Sequence, residues 1–287
     1  MIDFRNTKRV GLLAKIGRGH YSRSIAEQVR PAEPRIERAL YLRWVRSVFT
    51  LWRHFVQDKI VNAARTDARK PRIPKPTIQT LPPEPIRNRL LSTDWDELVD
   101  RSGLNGLLDR IGRSLADRNQ TYFNTLAKVP VPRVPGQAAM IADFRARNID
   151  LIKSAGVKQV GQINDVISAG NAAGLRHEEI SQQIQDRIGV GESQANLIAR
   201  DQTLKFNSSI HTAQATAAGS TDFTWSTSHD GAVRPTHREL DGKRFRYDDP
   251  PVTNDDGDRN LPGEDYQCRC VAIPVIDLFA GIDDAEG

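Results

Sequence analysis

Only two cysteines and two methionines occur in 287 residues, and aromatic side chains make up 6% of the chain. So few cysteines exclude a disulfide framework, and a bridge across the single residue between Cys268 and Cys270 would be strained. A reducing compartment suits the pair. No apolar run approaches the ~18 residues that a membrane-spanning helix needs. Residues 1–10 carry charge with no apolar stretch after them, so no secretory leader is read there. Internal repeats are missing. So are the G-x-S-x-G, H-E-x-x-H, Walker and G-x-G-x-x-G patterns, which removes the commonest hydrolase, metalloprotease and nucleotide-binding signatures.

Charge is what the chain has in quantity, at 27% of residues, and it is unevenly spread. Residues 1–90 hold 20 Lys and Arg against 7 Asp and Glu, a balance of +13, and the remaining residues hold 21 against 29, a balance of −8. A basic front end on an acidic body points to a polyanion or an acidic protein surface as partner. Clustered cations attract phosphate without any base-reading signature, so non-specific DNA contact through residues 1–90 is expected. A solvated arm is the plainer alternative.

The periodicities indicate an α+β chain, mainly α: a helical body, an extended basic N-terminal arm and a small C-terminal antiparallel β module. Residues 1–70 read as the basic arm, poorly ordered over 1–34 without a partner. Within it a helix is predicted from Pro34 to about Arg69, with Ile36, Leu40, Trp44, Val48, Leu51, Trp52 and Phe55 on one side. Arg35, Arg43, Arg46 and Arg53 fall opposite and are the candidate partner or DNA contacts. The apolar stripe either docks on another subunit or packs on the protein's own body.

Prolines at 71, 74, 76, 82, 83 and 85 make 71–90 an extended linker. A helical segment and second linker follow over 91–136, with Thr93 as N-cap and Asp96 and Glu97 in the first turn. Gly103, Gly106 and Gly112 are expected to break it. Residues 137–219 read as a helical domain with turns at Gly156, Gly170, Gly174 and Gly189–Gly191, ended by Gly219-Ser220. Period-two alternation at Phe223 and Trp225, Phe245 and Tyr247, and Val271, Ile273 and Val275 predicts short strands within 220–277. Residues 278–287 form an acidic tail.

The β module carries an ordered string of uncommon residues: Trp225, Asp230, Val233-Arg234, His237, Leu240-Asp241-Gly242, Phe245, Cys268-Arg269-Cys270 and Pro274. In this order they resemble the phage Mu protein F-like family of minor head, or head morphogenesis, proteins of tailed bacteriophages. The likeness extends upstream to about Asn148. There Ile198-Ala199-Arg200-Asp201-Gln202-Thr203 stands where the family shows an Ile-Ala-Arg-Thr-Glu-like run, with Asp-Gln as a departure. The resemblance implies a virion component associated with the portal vertex, with portal, capsid or scaffolding proteins as partners. It implies action in procapsid assembly, DNA packaging or delivery, and a place in the phage head after assembly in the host cytoplasm.

From the residues themselves, Cys268 and Cys270 at i and i+2 of a strand would project both sulfurs to one side, and His237 could join them on zinc, with His229 or Asp230 as a fourth ligand. Two inward thiols that merely fill a core are the alternative. No other cofactor is indicated. His237 beside Asp230 or Asp241, with Arg234, supplies the residue types of acid–base hydrolysis without a complete catalytic set. Leu240-Asp241-Gly242 reads as a tight hairpin turn. The acidic stretch Asp248-Asp249 and Asp255-Asp256-Gly257-Asp258, with Glu264 beyond it, lacks calcium-loop register and reads as a solvated turn. What the resemblance implies, with no complete catalytic set against it, is a structural head protein without enzymatic activity. A zinc-dependent nuclease or hydrolase carried in the virion is the alternative.

Overall fold

A computed structural model describes residues 30–56, 94–175 and 177–275. It contains helices α1 (Arg35–Val56), α2 (Trp95–Arg101), α3 (Leu104–Ala127), α4 (Gln137–Ala172) and α5 (His177–Ala217). Strand β1 (Asp222–Ser226), short helix α6 (Pro235–Leu240), β2 (Arg244–Arg246) and β3 (Val271–Val275) follow. The fold is mainly α with one small antiparallel sheet, as the periodicities indicate. The first 29 residues, the part of the expected first helix beyond Val56, the expected linker 71–90, Thr93 and the tail 278–287 lie outside the described residues. No helix among the described residues is long and apolar enough to cross a membrane.

The chain divides into two compact units that each gather segments distant in sequence. The helical unit takes described residues from 34–114 and 138–206. Its core joins Val160, Ile163 and Ile167 of α4, spaced three and four apart, to Ile180, Ile184 and Ile188 of α5, spaced four apart. Those spacings put each trio on one helix face, and each such side chain contributes about 1.5–3 kcal/mol by leaving water.

Gly156, Gly170, Gly189 and Gly191 do not form turns. Helices α4 and α5 run straight through them. Three of these glycines sit where a neighbour presses on the backbone. A Cβ at Gly156 would lie 2.2 Å from the Trp95 ring, one at Gly170 would lie 2.6 Å from Ile180, and one at Gly191 would lie 2.3 Å from Gln159. Of the expected breaks, those at Gly103 (φ +70°) and Gly174 (φ +66°) are present, where the left-handed backbone favours glycine. Gly106 and Gly112 stay within α3.

The first turn of α2 is capped by Asp94, which accepts from the backbone N–H groups of Asp96 and Glu97, so the cap lies one residue beyond the expected Thr93. Helix α1 buries a face rotated from the predicted one. Among its described side chains Glu37, Tyr41 and Val45 are fully buried, whereas Ile36 (67% exposed) and Leu40 (43%) face solvent. Polar bonds explain the rotation: the Ser114 hydroxyl donates to Glu37 and the Tyr41 hydroxyl donates to Asn148. Trp44 packs within its own unit and donates to the Ser102 carbonyl. Arg35, Arg43 and Arg46 are exposed, and the side chains of Leu51, Trp52, Arg53 and Phe55 lie outside the described residues.

The second unit takes described residues from 30–33, 115–137 and 207–275. Gly219 and Ser220 close α5 with backbone bonds to Thr216 and Ala215. The sheet has the order β2-β1-β3, with Phe223 opposite Phe245 and Pro274, and Trp225 opposite Ala272. Pro274 therefore sits on an edge strand, where its missing N–H costs no ladder bond. Phe223 and Trp225 are fully buried among Cys268, Cys270 and Ala272, with Leu240, Phe245, Tyr247 and Leu261 around them. His211 of α5 anchors to this sheet, its Nε2 2.8 Å from the Ala272 carbonyl and its Nδ1 2.9 Å from Asn119 Oδ1.

Candidate functional site

The connection from β1 to β2 carries α6 in place of the expected tight hairpin turn. Leu240 ends that helix and Asp241 caps it. The helix begins with Pro235 at its first position, where proline's fixed φ suits helix entry, and it buries His237. Asp241 accepts from the Thr227 backbone, and Gly242 N–H donates to the Trp225 carbonyl, so this turn is tied directly to β1.

Cys268 and Cys270 lie in the loop that leads into β3, not on the strand. Both thiols are buried and unbridged. Their sulfurs still converge: each Sγ is 3.5 Å from His237 Nδ1. The three ligand atoms lie within 4.8 Å of one another. On the far side of the imidazole, Nε2 is 3.0 Å from Asp265 Oδ2. Trp225 packs edge-on against the His237 ring at 5.4 Å and closes the cluster from the sheet side.

The electrostatics follow from this crowding. Two thiols in contact lose one proton readily and the second with difficulty. Cys268 is drawn well below the usual thiol range, by the Cys270 hydrogen bond first and by His237 as well. Cys270 is pushed far up by that neighbouring thiolate and by burial. His237 is raised, chiefly by its bond to Cys268. The Cys270 backbone N–H lies 3.4 Å from Cys268 Sγ and adds a donor to the thiolate.

The other residues singled out in the sequence act around this centre. Arg269 makes a two-pronged contact with Asp230 at 2.7 and 2.5 Å, which holds the Asp230 carboxyl below its ordinary range. Arg234 donates to the Tyr266 carbonyl at 2.5 Å, and Thr236 donates to the Thr253 carbonyl at 2.8 Å. His229 is 3.5 Å from Asp241. Asp230 and His229 are thus engaged elsewhere and do not join His237 Nδ1 and the two sulfurs. Asp230, Arg234 and His237 each have a different partner. The acidic stretch is a turn pinned by Asn254 and Asp258, with Arg246 on Asp248 and Arg259 on Asp249.

Asp265 is the residue that sequence reasoning missed. It precedes Cys268 by three positions in an acidic, turn-rich loop, and spacing alone does not separate it from the neighbouring Glu264. Only the fold aims it at His237. The cluster's atoms suit two kinds of chemistry: thiolate–imidazole ligation of a soft divalent metal, and a thiolate paired with imidazole and carboxylate.

Residues 161–273 match the family model described as phage Mu protein F like protein. A Haemophilus influenzae protein, described as "Uncharacterized protein", is 36% identical over 160 residues, covering 56% of this chain. The chain spans about a third (34%) of that curated relative's length. No solved structure matches. The matched segment holds β1, α6, β2, most of β3 and the whole His237–Cys268–Cys270 cluster. Over this segment the chain is similar to the phage Mu protein F like family.

Proposed function

We propose that the chain is a minor head protein of a tailed bacteriophage, a structural component that joins the head during assembly. The observation that carries this reading is the family match over 161–273, which runs from α4 through α5 into the sheet and includes its buried cluster. The character of that cluster supports it. His237, Cys268 and Cys270 are 2%, 4% and 7% exposed, so they brace the module from inside instead of lining a surface a substrate could reach.

On this reading the chain sits at the portal vertex, against portal, capsid or scaffolding proteins, and acts in procapsid assembly and DNA packaging or delivery. The +13 balance of residues 1–90 supports contact with DNA or with an acidic rim, and Arg35, Arg43 and Arg46 stand exposed on α1. The test is assembly without the chain. Heads made by a phage lacking its gene should accumulate without a full genome, and full-length chain supplied in trans should restore filled heads. Normal filling in its absence would refute the proposal.

A zinc-dependent or thiol-based hydrolase is the second reading, and one observation favours it: Asp265, His237 and Cys268 line up as carboxylate, imidazole and thiolate. Turnover of nucleic acid or cell wall by the purified chain, lost in His237→Ala, would establish that reading in place of the first.

A further inference from the structure

We propose that His237, Cys268 and Cys270 bind a zinc ion, with Asp265 as the carboxylate that orients the histidine from behind. This goes beyond the head-protein reading and does not depend on what the chain assembles with.

The distances carry the argument. With Zn–S near 2.3 Å and Zn–N near 2.0–2.1 Å at the tetrahedral angle, the N···S edge of a zinc tetrahedron is about 3.6 Å. His237 Nδ1 is 3.5 Å from both sulfurs, so two edges of that tetrahedron are already in place. A simple hydrogen bond from one thiol would favour one sulfur over the other, whereas a nitrogen equidistant from both faces the point between them.

The imidazole is also set for ligation. Zinc-bound histidine usually gives its second nitrogen to a carboxylate, which fixes the tautomer. Here Asp265 Oδ2 lies 3.0 Å from Nε2 as an ion-pair contact, and both atoms are buried with no hydrogen bond to any group. A carboxylate at that distance favours the proton on Nε2, which would leave the Nδ1 lone pair on the side of the thiols. Thiolates with imidazole select zinc over the hard cations magnesium and calcium.

Loading releases thiol protons to solvent and couples metal to fold. The ion would tie α6 to the loop entering β3, segments 31 and 33 residues apart along the chain. Among the described residues no fourth His, Cys, Asp or Glu joins the group, so water or a backbone carbonyl completes the coordination.

The experiment uses the full chain, untagged and purified without chelator from zinc-supplied cells. Metal analysis should give close to one zinc per chain. Cys268→Ser with Cys270→Ser should abolish it, and Asp230→Ala or His229→Ala should leave it unchanged. Asp265→Asn should keep the fold by circular dichroism and weaken zinc about 10–100-fold in competition with a chromogenic chelator.

Because the cysteine variant is open to misfolding, wild-type chain is also loaded with cobalt(II). Thiolate-to-cobalt charge transfer and the intense visible bands of a tetrahedral ion are expected. Reduced wild-type chain that holds less than about a tenth of a zinc and shows no cobalt bands overturns the site. Zinc retained after loss of both thiols does so too. An Asp265→Asn affinity equal to wild type removes the orienting role.

Discussion

His211 offers a pH test of how the helical part of the sheet unit is held. The ring is 4% exposed and wedged between Tyr122 and Phe123 of α3, with the Ala272 carbonyl at Nε2. Burial pushes it down from 6.5 to about 4, against the smaller upward pull of that carbonyl. The unfolded chain therefore binds the proton more tightly than the folded one. The stability is fully present above the unfolded value near 6.5 and is lost as pH falls from there through about 4. At 1.36 kcal/mol per unit the whole effect is about 3 kcal/mol, of which about 2 kcal/mol has gone by pH 5. His211→Gln keeps a donor for the carbonyl and removes the titration. Urea unfolding of both proteins at pH 7 and pH 5 isolates the effect, because every other titrating group is common to the pair. Wild type should lose about 2 kcal/mol more than the variant between those values. Parallel losses would refute the assignment of a neutral, buried imidazole to this position.

Two glycines in long helices should respond in opposite directions to the same substitution. Gly189→Ala meets nothing within 4 Å and should gain up to about 1 kcal/mol from helix propensity, whereas Gly156→Ala drives a methyl into the Trp95 ring and should lose about 1–2 kcal/mol net by thermal or urea unfolding. Equal shifts would show that the α4–Trp95 approach is not close. Any DNA binding should be indifferent to sequence and should weaken with salt. Arg43→Ala and Arg46→Ala should each flatten the log–log salt slope by roughly 0.9 for every phosphate that the arginine neutralises. A slope that does not change in the double variant would move the DNA interface off α1.

The architecture was legible where local rules suffice. Alternation at Phe223 and Trp225 gives β1, and the Gly219-Ser220 stop ends α5, because period and cap are properties of neighbouring residues. The glycines of α4 and α5 defeat that approach. A glycine kept for close packing has the same local signature as one kept for a turn, and only the partner distinguishes them (Trp95 at Gly156, Ile180 at Gly170). The α1 face is rotated for a similar reason: buried Glu37 and Tyr41 find Ser114 and Asn148, which lie 77 and 107 residues away.

The cluster divides the same way. Rarity marks His237, Cys268 and Cys270, since a C-x-C pair in a chain with no other cysteine stands out. Asp265 is invisible among acidic turn residues. Nearness to His237 in sequence nominates His229 and Asp230, but Asp241 and Arg269 hold them instead.

Whether the chain is a component of the head, as proposed, is decided most directly by quantitative mass spectrometry of purified, DNA-filled heads produced from the genome that carries its gene. Peptides from 161–273 are expected at a few copies per head, retained after nuclease treatment and gradient purification. Heads that are filled, intact and free of the chain would contradict a structural role in the head.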